Sequence, residues 1–236
     1  MFAFQNVASR LVTTASYGQW PADVHLWKVA IPDENAASLL EQDILDVPER
    51  ERAARYLRHR DRVRFVVTRA TLRWLLADRV GASPSALCFA SGPYGRPSLA
   101  DYPDLSFNVS HSGAYALIVI SEKRAVGVDI EYIELKTDWR LLGNVVCTED
   151  ELVVIEQMAP AQQVPGFFRC WTAKEALLKA TGLGIGESLR DLSVDLAAED
   201  VQQPSIRSER VAAVAALRYR WLTVIPGYSA CVAFEA

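Results

Sequence analysis

The chain has 236 residues, half of them hydrophobic, which suits one large domain or two small ones with a proper core and excludes a disordered chain. Its net charge of −4, from 25 basic and 29 acidic residues, excludes a global basic field for nucleic acid and leaves room only for local basic patches. No apolar run is long enough to span a bilayer, so neither nucleic acid nor membrane is an expected partner.

The first twenty residues lack a basic start followed by a long apolar core, so no secretory leader is expected. The four cysteines, Cys88, Cys147, Cys170 and Cys231, are scattered with no CxxC pair. They read as reduced, mostly buried thiols of a cytoplasmic protein. Asp23–Ile31 alternates like a strand, with His25 a structural residue on the face of Trp27 and Val29.

Val47–Gly81 reads as one or two helices ending at Gly81, with Val63, Val66, Val67, Ala70 and Trp74 as the apolar stripe. Its other faces carry Arg52, Arg55, Arg58, Arg60, Arg62, Arg64, Arg69 and Arg73. Guanidinium suits bidentate phosphate recognition, although most charge-rich helices are simply solvated. Ser91–Leu99 is a turn-rich loop. Leu105–Gly113 and the apolar strand Ala114–Ser121 follow, and Glu122–Arg124 is expected to turn the chain as a hairpin into Ala125–Ile133.

That last strand, AVGVDIEYI, sends Val126, Val128 and Ile130 to one face and Gly127, Asp129 and Glu131 to the other. The two acids lie roughly 7 Å apart along the backbone and repel. The pair is either an exposed strand face or a site, since a hard cation such as magnesium, held by one or two carboxylates, waters and substrate phosphates, would turn the repulsion into binding.

Thr148 and Glu151 form a capping box that opens a helix at Cys147–Met158, and Phe167–Gly184 is a second strong helix with Gly182 as its stop. On it, Glu175 and Lys179 share a face, either as an ordinary helix ion pair or as contacts to the same cation and the phosphates it carries. Trp171 reads as a packing residue, and Lys174, around the helix, as a separate contact or an aid to solubility. In FNVSHSG, His111, flanked by Ser110, Ser112 and Gly113, looks more like an anion contact than a structural histidine, and no GxSxG elbow is present. Leu192–Leu196 and Arg218–Phe234 supply the last strands, the latter broken at Pro226-Gly227. Mixed strands and helices without regular βαβ alternation make the expected class α+β.

The series GRP, FNVSHSG, VGVDIE and WTAKEALLK, from Gly95 to Lys179, resembles the 4′-phosphopantetheinyl transferases of the surfactin-synthetase-activating (Sfp) type. The resemblance implies two similar α+β halves related by a pseudo-two-fold axis, with the active site in the cleft between them. Residues 1–124 would form the half that meets the coenzyme A 3′-phosphate and adenine, and residues 125–236 the half with the metal site and catalytic helix. No internal duplication is visible in the sequence itself.

Such enzymes move the phosphopantetheine arm of coenzyme A onto a serine of an apo acyl, peptidyl or aryl carrier protein, releasing adenosine 3′,5′-bisphosphate. The family's metal ligands, for Mg²⁺ or Mn²⁺, fall on Asp129, Glu131 and Glu175. Lys179, Ser110 and His111 match phosphate contacts, and Glu175, Lys179 and His111 are the expected catalytic residues. Glu175 is the candidate base for the serine proton, directly or through water. Arg96 stands where the motif often has lysine, near the adenine end, and Arg52 and Arg64 lie near 3′-phosphate positions. Glu149 reads as helix-terminal structure.

Part of Glu134–Val146, with Leu141, Leu142, Val145 and Val146, is either the carrier's docking surface or an amphipathic core helix. The implied pseudo-dimeric fold makes a monomer sufficient. Rival readings are a Mg²⁺-dependent phosphohydrolase acting on a nucleotide or coenzyme A, and a non-catalytic coenzyme A- or carrier-binding protein.

Overall fold

A computed structural model describes residues 10–32, 43–184, 186, 188–223 and 225–236. The start of the expected leaderless stretch, residues 1–9, and position 224 of the last strand region lie outside it. The first half contains β1 (Leu11–Thr14), β2 (His25–Ala30), α1 (Val47–Ala54), α2 (His59–Val80), a short β3–β4 hairpin (Phe89–Ser91, Pro97–Leu99), β5 (Ser106–Ser112) and β6 (Tyr115–Ser121). The second contains β7 (Val126–Tyr132), α3 (Trp139–Val146), α4 (Glu149–Gln157), α5 (Pro160–Thr181), β8 (Leu192–Ser193), β9 (Ser205–Ile206), β10 (Leu217–Trp221) and β11 (Tyr228–Glu235). The strand expected at Leu192–Leu196 is thus only two residues long.

The halves repeat one plan. In the first sheet, of order β1-β2-β6-β5, the hairpin β5–β6 places β6 against β2; in the second, of order β10-β11-β7, the hairpin β10–β11 places β11 against β7. All these pairings are antiparallel. Each half also carries a 22-residue helix, α2 or α5, stopped by a left-handed glycine, Gly81 or Gly182. This is the α+β fold of two halves related by a pseudo-two-fold axis. Among the described residues, no helix is long and apolar enough to cross a membrane.

One expectation fails. Strands β6 and β7 do not form a hairpin: β6 pairs with β2 and β5, β7 pairs with β11, and Glu122–Arg124 carries the chain from one sheet to the other. The reason lies in β6 itself. Ala116–Ile120 is buried throughout, the mark of a central strand whose two edges are both taken. The turn at Gly113-Ala114 makes the true hairpin, between β5 and β6.

Three layers of core follow. Helix α2 packs Val63, Val67, Leu72 and Leu76 with Trp27, Phe107, Ile118 and Ile120. The opposite side of that sheet, with Leu26, Leu117 and Val119, joins Val126, Val128, Ile130 and Val232 of the second. Helix α5 covers the second sheet's other face. Gly127 makes that contact close: a Cβ there would lie 2.1 Å from the Ala176 carbonyl oxygen. Asp129 and Glu131, on Gly127's face, therefore look toward α5.

Strands β5 and β7 meet along the seam between the halves without a backbone ladder. Side chains of β5 stand in for it. Ser106 Oγ accepts the Val126 N–H (3.1 Å), Asn108 Oδ1 the Val128 N–H (3.2 Å) and Ser112 Oγ the Tyr132 N–H (3.0 Å). Every second residue of β5 is thus polar for a structural reason, and the seam is a wall of hydroxyl and amide groups.

Candidate active site

Three elements converge where α5 crosses the seam. Asp129, buried on β7, accepts from Ser110 Oγ at 2.6 Å and from Lys179 Nζ at 2.5 Å, both through Oδ1. Its other oxygen, Oδ2, is buried and has no hydrogen-bond partner. Glu175 lies 3.2 Å from Lys179 Nζ through Oε2 and accepts the Trp171 indole N–H at 2.5 Å through Oε1. Glu131 accepts from Ser112 Oγ at 2.8 Å.

The electrostatics are those of crowded acids around one cation. Burial, then the charge of Asp129, pushes Glu131 up to about 7. Burial and Asp129 also raise Glu175, against the pull of Lys179 and Trp171. Burial alone would lower the Lys179 ammonium, but Asp129 and Glu175 outweigh it and hold its pKa above the usual lysine value. A buried carboxylate oxygen without a partner is costly, and a face of three acids with only one ammonium is under-neutralised. An all-oxygen donor set with one orphaned oxygen fits a hard divalent cation.

The donor set that packs tightest is a different one. Among the described residues, the group of metal-ligating types whose donor atoms all lie within 4.8 Å of one another is Cys147, Glu151 and Cys170. It does not fit a metal. Glu151 already accepts from Lys174, Thr148 N and Val194 N, and burial, then a hydrogen bond with Cys147, raises the Cys170 thiol well above its ordinary value.

Beside the acids opens a cleft of about 390 Å³, whose wall includes Arg52, Thr68, Arg69, Ser110, His111, Glu131 and Lys179. It brings residues of α1, α2 and β5 from the first half against β7 and α5 of the second. The family model of the 4′-phosphopantetheinyl transferase superfamily matches residues 125–233, and that of a 4′-phosphopantetheinyl transferase N-terminal region matches residues 32–123. Among similar proteins, the 4′-phosphopantetheinyl transferase HetI of Nostoc sp. is 34% identical over 180 residues, 74% of each chain. The putative 4′-phosphopantetheinyl transferase slr0495 of Synechocystis sp. is 38% identical over 156 residues, 65% of this chain and 63% of that one. A 4′-phosphopantetheinyl transferase of Bacillus subtilis is 28% identical over 148 residues, 63% of this chain and 65% of that one. The chain belongs to the 4′-phosphopantetheinyl transferase superfamily.

In this member of the superfamily the expected site residues are placed unevenly. Asp129, Glu131, Glu175, Lys179 and Ser110 stand together. His111 is on the cleft wall, its pKa lowered by desolvation and further by Arg64, Lys179 and Arg52. Arg52 lines the cleft with its guanidinium 5.1 Å from the Phe65 ring centroid. Arg64 is engaged elsewhere, with the Gly113 carbonyl (3.2 Å) and Asp61 (3.1 Å). Arg96 donates to the carbonyls of Ala180 and Val126 and to Ser106 Oγ, tying α5 to the seam. It also lines a neighbouring cavity of about 240 Å³ with Tyr94, Gly95 and Lys179. A larger hollow, about 720 Å³ around Arg169 and Trp221, includes none of the expected site residues.

For Lys174 the structure decides between the two readings, in favour of the separate contact. It is fully buried and serves no solubility role: its Nζ donates to the carbonyls of Val146 and Leu189 and pairs with Glu151 at 2.6 Å. Trp171 packs against Phe167 and Phe168 as expected, and also orients Glu175, which was missed. The four-residue spacing of Trp171 and Glu175 was the available signal. Thr68, next to Arg69 on α2 in the cleft wall, was not singled out, and Arg69 was named only among the helix arginines. Glu149 sits exposed at the start of α4.

Proposed function

We propose that this protein transfers the 4′-phosphopantetheine arm of coenzyme A to a serine of an apo acyl, peptidyl or aryl carrier protein, releasing adenosine 3′,5′-bisphosphate, as a monomeric, surfactin-synthetase-activating type of transferase. The observation that carries the reading is the buried, unpartnered Oδ2 of Asp129, whose carboxylate pairs through Oδ1 with Lys179, which lines a cleft together with Arg52, Arg69 and His111. Under this reading residues 1–124 supply the coenzyme's 3′-phosphate and adenine contacts, with Arg52 and His111 lining the cleft, Arg96 lining the neighbouring cavity and Arg64 engaged with Gly113 and Asp61. Residues 125–236 supply the acids and the lysine. The cleft is complete within one chain, which supports a monomer.

Asp129, Glu131 and Glu175 would hold Mg²⁺ or Mn²⁺, which when bound supplies charge neutralisation for the coenzyme's pyrophosphate. The chain's own groups do the rest. Lys179, kept protonated by its two carboxylate neighbours, stabilises the negative charge that builds on the leaving phosphate. His111 and Ser110 orient the phosphates from the first half. Glu175, with its proton affinity raised by burial and its Oε1 fixed by Trp171, takes the proton of the attacking serine, directly or through a water. Holding the carrier serine in line supplies much of the remaining rate.

The carrier approaches from beyond β7. Leu141 and Val145, one turn apart on α3, are 68% and 64% exposed, whereas Trp139 and Val146 are buried and Leu142 packs against the core. An apolar face of that kind suits a carrier helix.

The test is the intact mass of an apo carrier protein incubated with the protein, coenzyme A and Mg²⁺. The expected result is a gain of one phosphopantetheine arm, lost with chelator and slowed at least about 100-fold in Asp129→Ala. Coenzyme A consumed without any gain, across acyl, peptidyl and aryl carriers, would instead identify a phosphohydrolase.

A further inference from the structure

Two serines of β5 reach across the seam to the two acids of β7, and they do so on different terms. The Ser110 contact is duplicated: Asp129 Oδ1 also receives Lys179 Nζ, and Lys179 in turn lies 3.2 Å from Ser110 Oγ. Asp129 is a short, buried side chain held from two directions. Glu131 has one more torsion and is only partly buried, and among the described residues Ser112 is the one side chain that donates a hydrogen bond to it.

The Ser112 hydroxyl has a single proton, and its direction is settled by its neighbours. The Tyr132 amide N–H, 3.0 Å away, can only donate, so Oγ accepts there. The proton is left for Glu131 Oε2 at 2.8 Å. A peptide of β7 thus fixes the hydroxyl, and the hydroxyl fixes the carboxylate of the preceding residue on the same strand. Without it, repulsion from Asp129 and Glu175 favours rotamers that carry the Glu131 carboxylate outward.

We propose that Ser112 is a positioning residue that holds Glu131 within the divalent-cation face, so that the first half of the molecule sets the geometry of acids that all belong to the second. The inference rests on the proposed function. Outer hydrogen-bond partners of ligating carboxylates are commonly worth about 10–100-fold in metal affinity.

The experiment is a titration of the full chain with Mn²⁺ followed by electron paramagnetic resonance, which reads binding without turnover. Ser112→Ala is expected to weaken Mn²⁺ about 10-fold or more, and Ser112→Thr, which keeps the hydroxyl, to restore it. In a Glu131→Gln background the Ser112→Ala loss should disappear, because the residue acts through that carboxylate. A merely structural serine would cost the same in both backgrounds. Should the alanine variant not fold, Ser112→Cys, a weak donor of similar size, makes the same comparison. Unchanged affinity on loss of the hydroxyl, or a loss undiminished in the Glu131→Gln background, overturns the inference alone. A wild-type chain that binds no Mn²⁺ overturns the metal face and the inference with it.

Discussion

Lys174 and Lys179 lie on the same helix, α5, and both meet carboxylates, yet their surroundings end in opposite conditions. Lys174 has three partners for its three N–H groups: Glu151 at 2.6 Å and two carbonyls at 2.9 Å. Glu151 in turn closes the α4 capping box and accepts from Val194 N. The network has no visible loose end. Around Lys179 the ammonium is shared among Asp129, Glu175 and Ser110, three acids crowd together, and Asp129 Oδ2 is left over. A closed polar network fixes a fold, whereas an open one, buried at cost beside a cleft, marks a place where something else completes the bonding.

The comparison breaks first at Lys174. Lys174→Met leaves Glu151 buried without its counter-charge and should cost about 3–5 kcal/mol of stability in urea denaturation. Turnover per folded molecule should stay at the wild-type level, because the residue faces away from the cleft. A loss below about 1 kcal/mol would mean that the network is not an internal strut.

Lys179→Met should do the reverse. Under the proposed function, removing the positive group that would face the phosphates should lower carrier-modification turnover by about 10²–10³-fold, some 2.7–4 kcal/mol in the barrier. In the same denaturation experiment it should cost less than Lys174→Met, because Asp129 keeps Ser110 and the site borders a cleft. Equal stability losses in the two variants would erase the distinction between closed and open networks.

How much of this could be read in the sequence depended on the range of the interaction. Period-two alternation gave both faces of β7, so the apolar and acidic sides were legible, and local capping chemistry gave the start of α4 and the stops at Gly81 and Gly182. The acids that the fold brings together, Asp129, Glu131 and Glu175, were legible as residue types at a spacing. The duplication was not, because it resides in strand order, β5-β6-β2 against β10-β11-β7, which constrains which edges pair and not which residues pair. The mistaken β6–β7 hairpin has the same origin: a short polar link between strands suits a hairpin and a sheet-to-sheet crossing equally, and only the all-buried β6 spoke for the second. Lys174 was left between a separate contact and solubility because helical periodicity places a residue on a face, and what covers that face, Val146, Leu189 and Glu151, arrives from distant segments.

The smallest effect is expected at a third ion pair, which sits at the crossing between the halves and sharpens the contrast. Arg124 donates through Nε to Asp23 at 2.8 Å and through Nη1 to the Glu235 carbonyl at 2.9 Å. The hydrogen bond and charge of Arg124, with help from Ser121, hold Asp23 below the usual carboxylate range. A carboxyl depressed in the folded state stabilises the protein above its unfolded pKa, about 3.9, and that contribution fades as pH falls through the folded value. Solvent screens the pair, so Asp23→Asn should cost at most about 1 kcal/mol at neutral pH. Denaturation midpoints of wild type and variant should converge below about pH 4. A gap that persisted at low pH would show that Asp23 acts through packing or backbone geometry and not through its charge. Such a half-buried pair is neither closed within the core nor open toward a ligand. Solvent reaches it, so it costs little to break and leaves nothing to be filled.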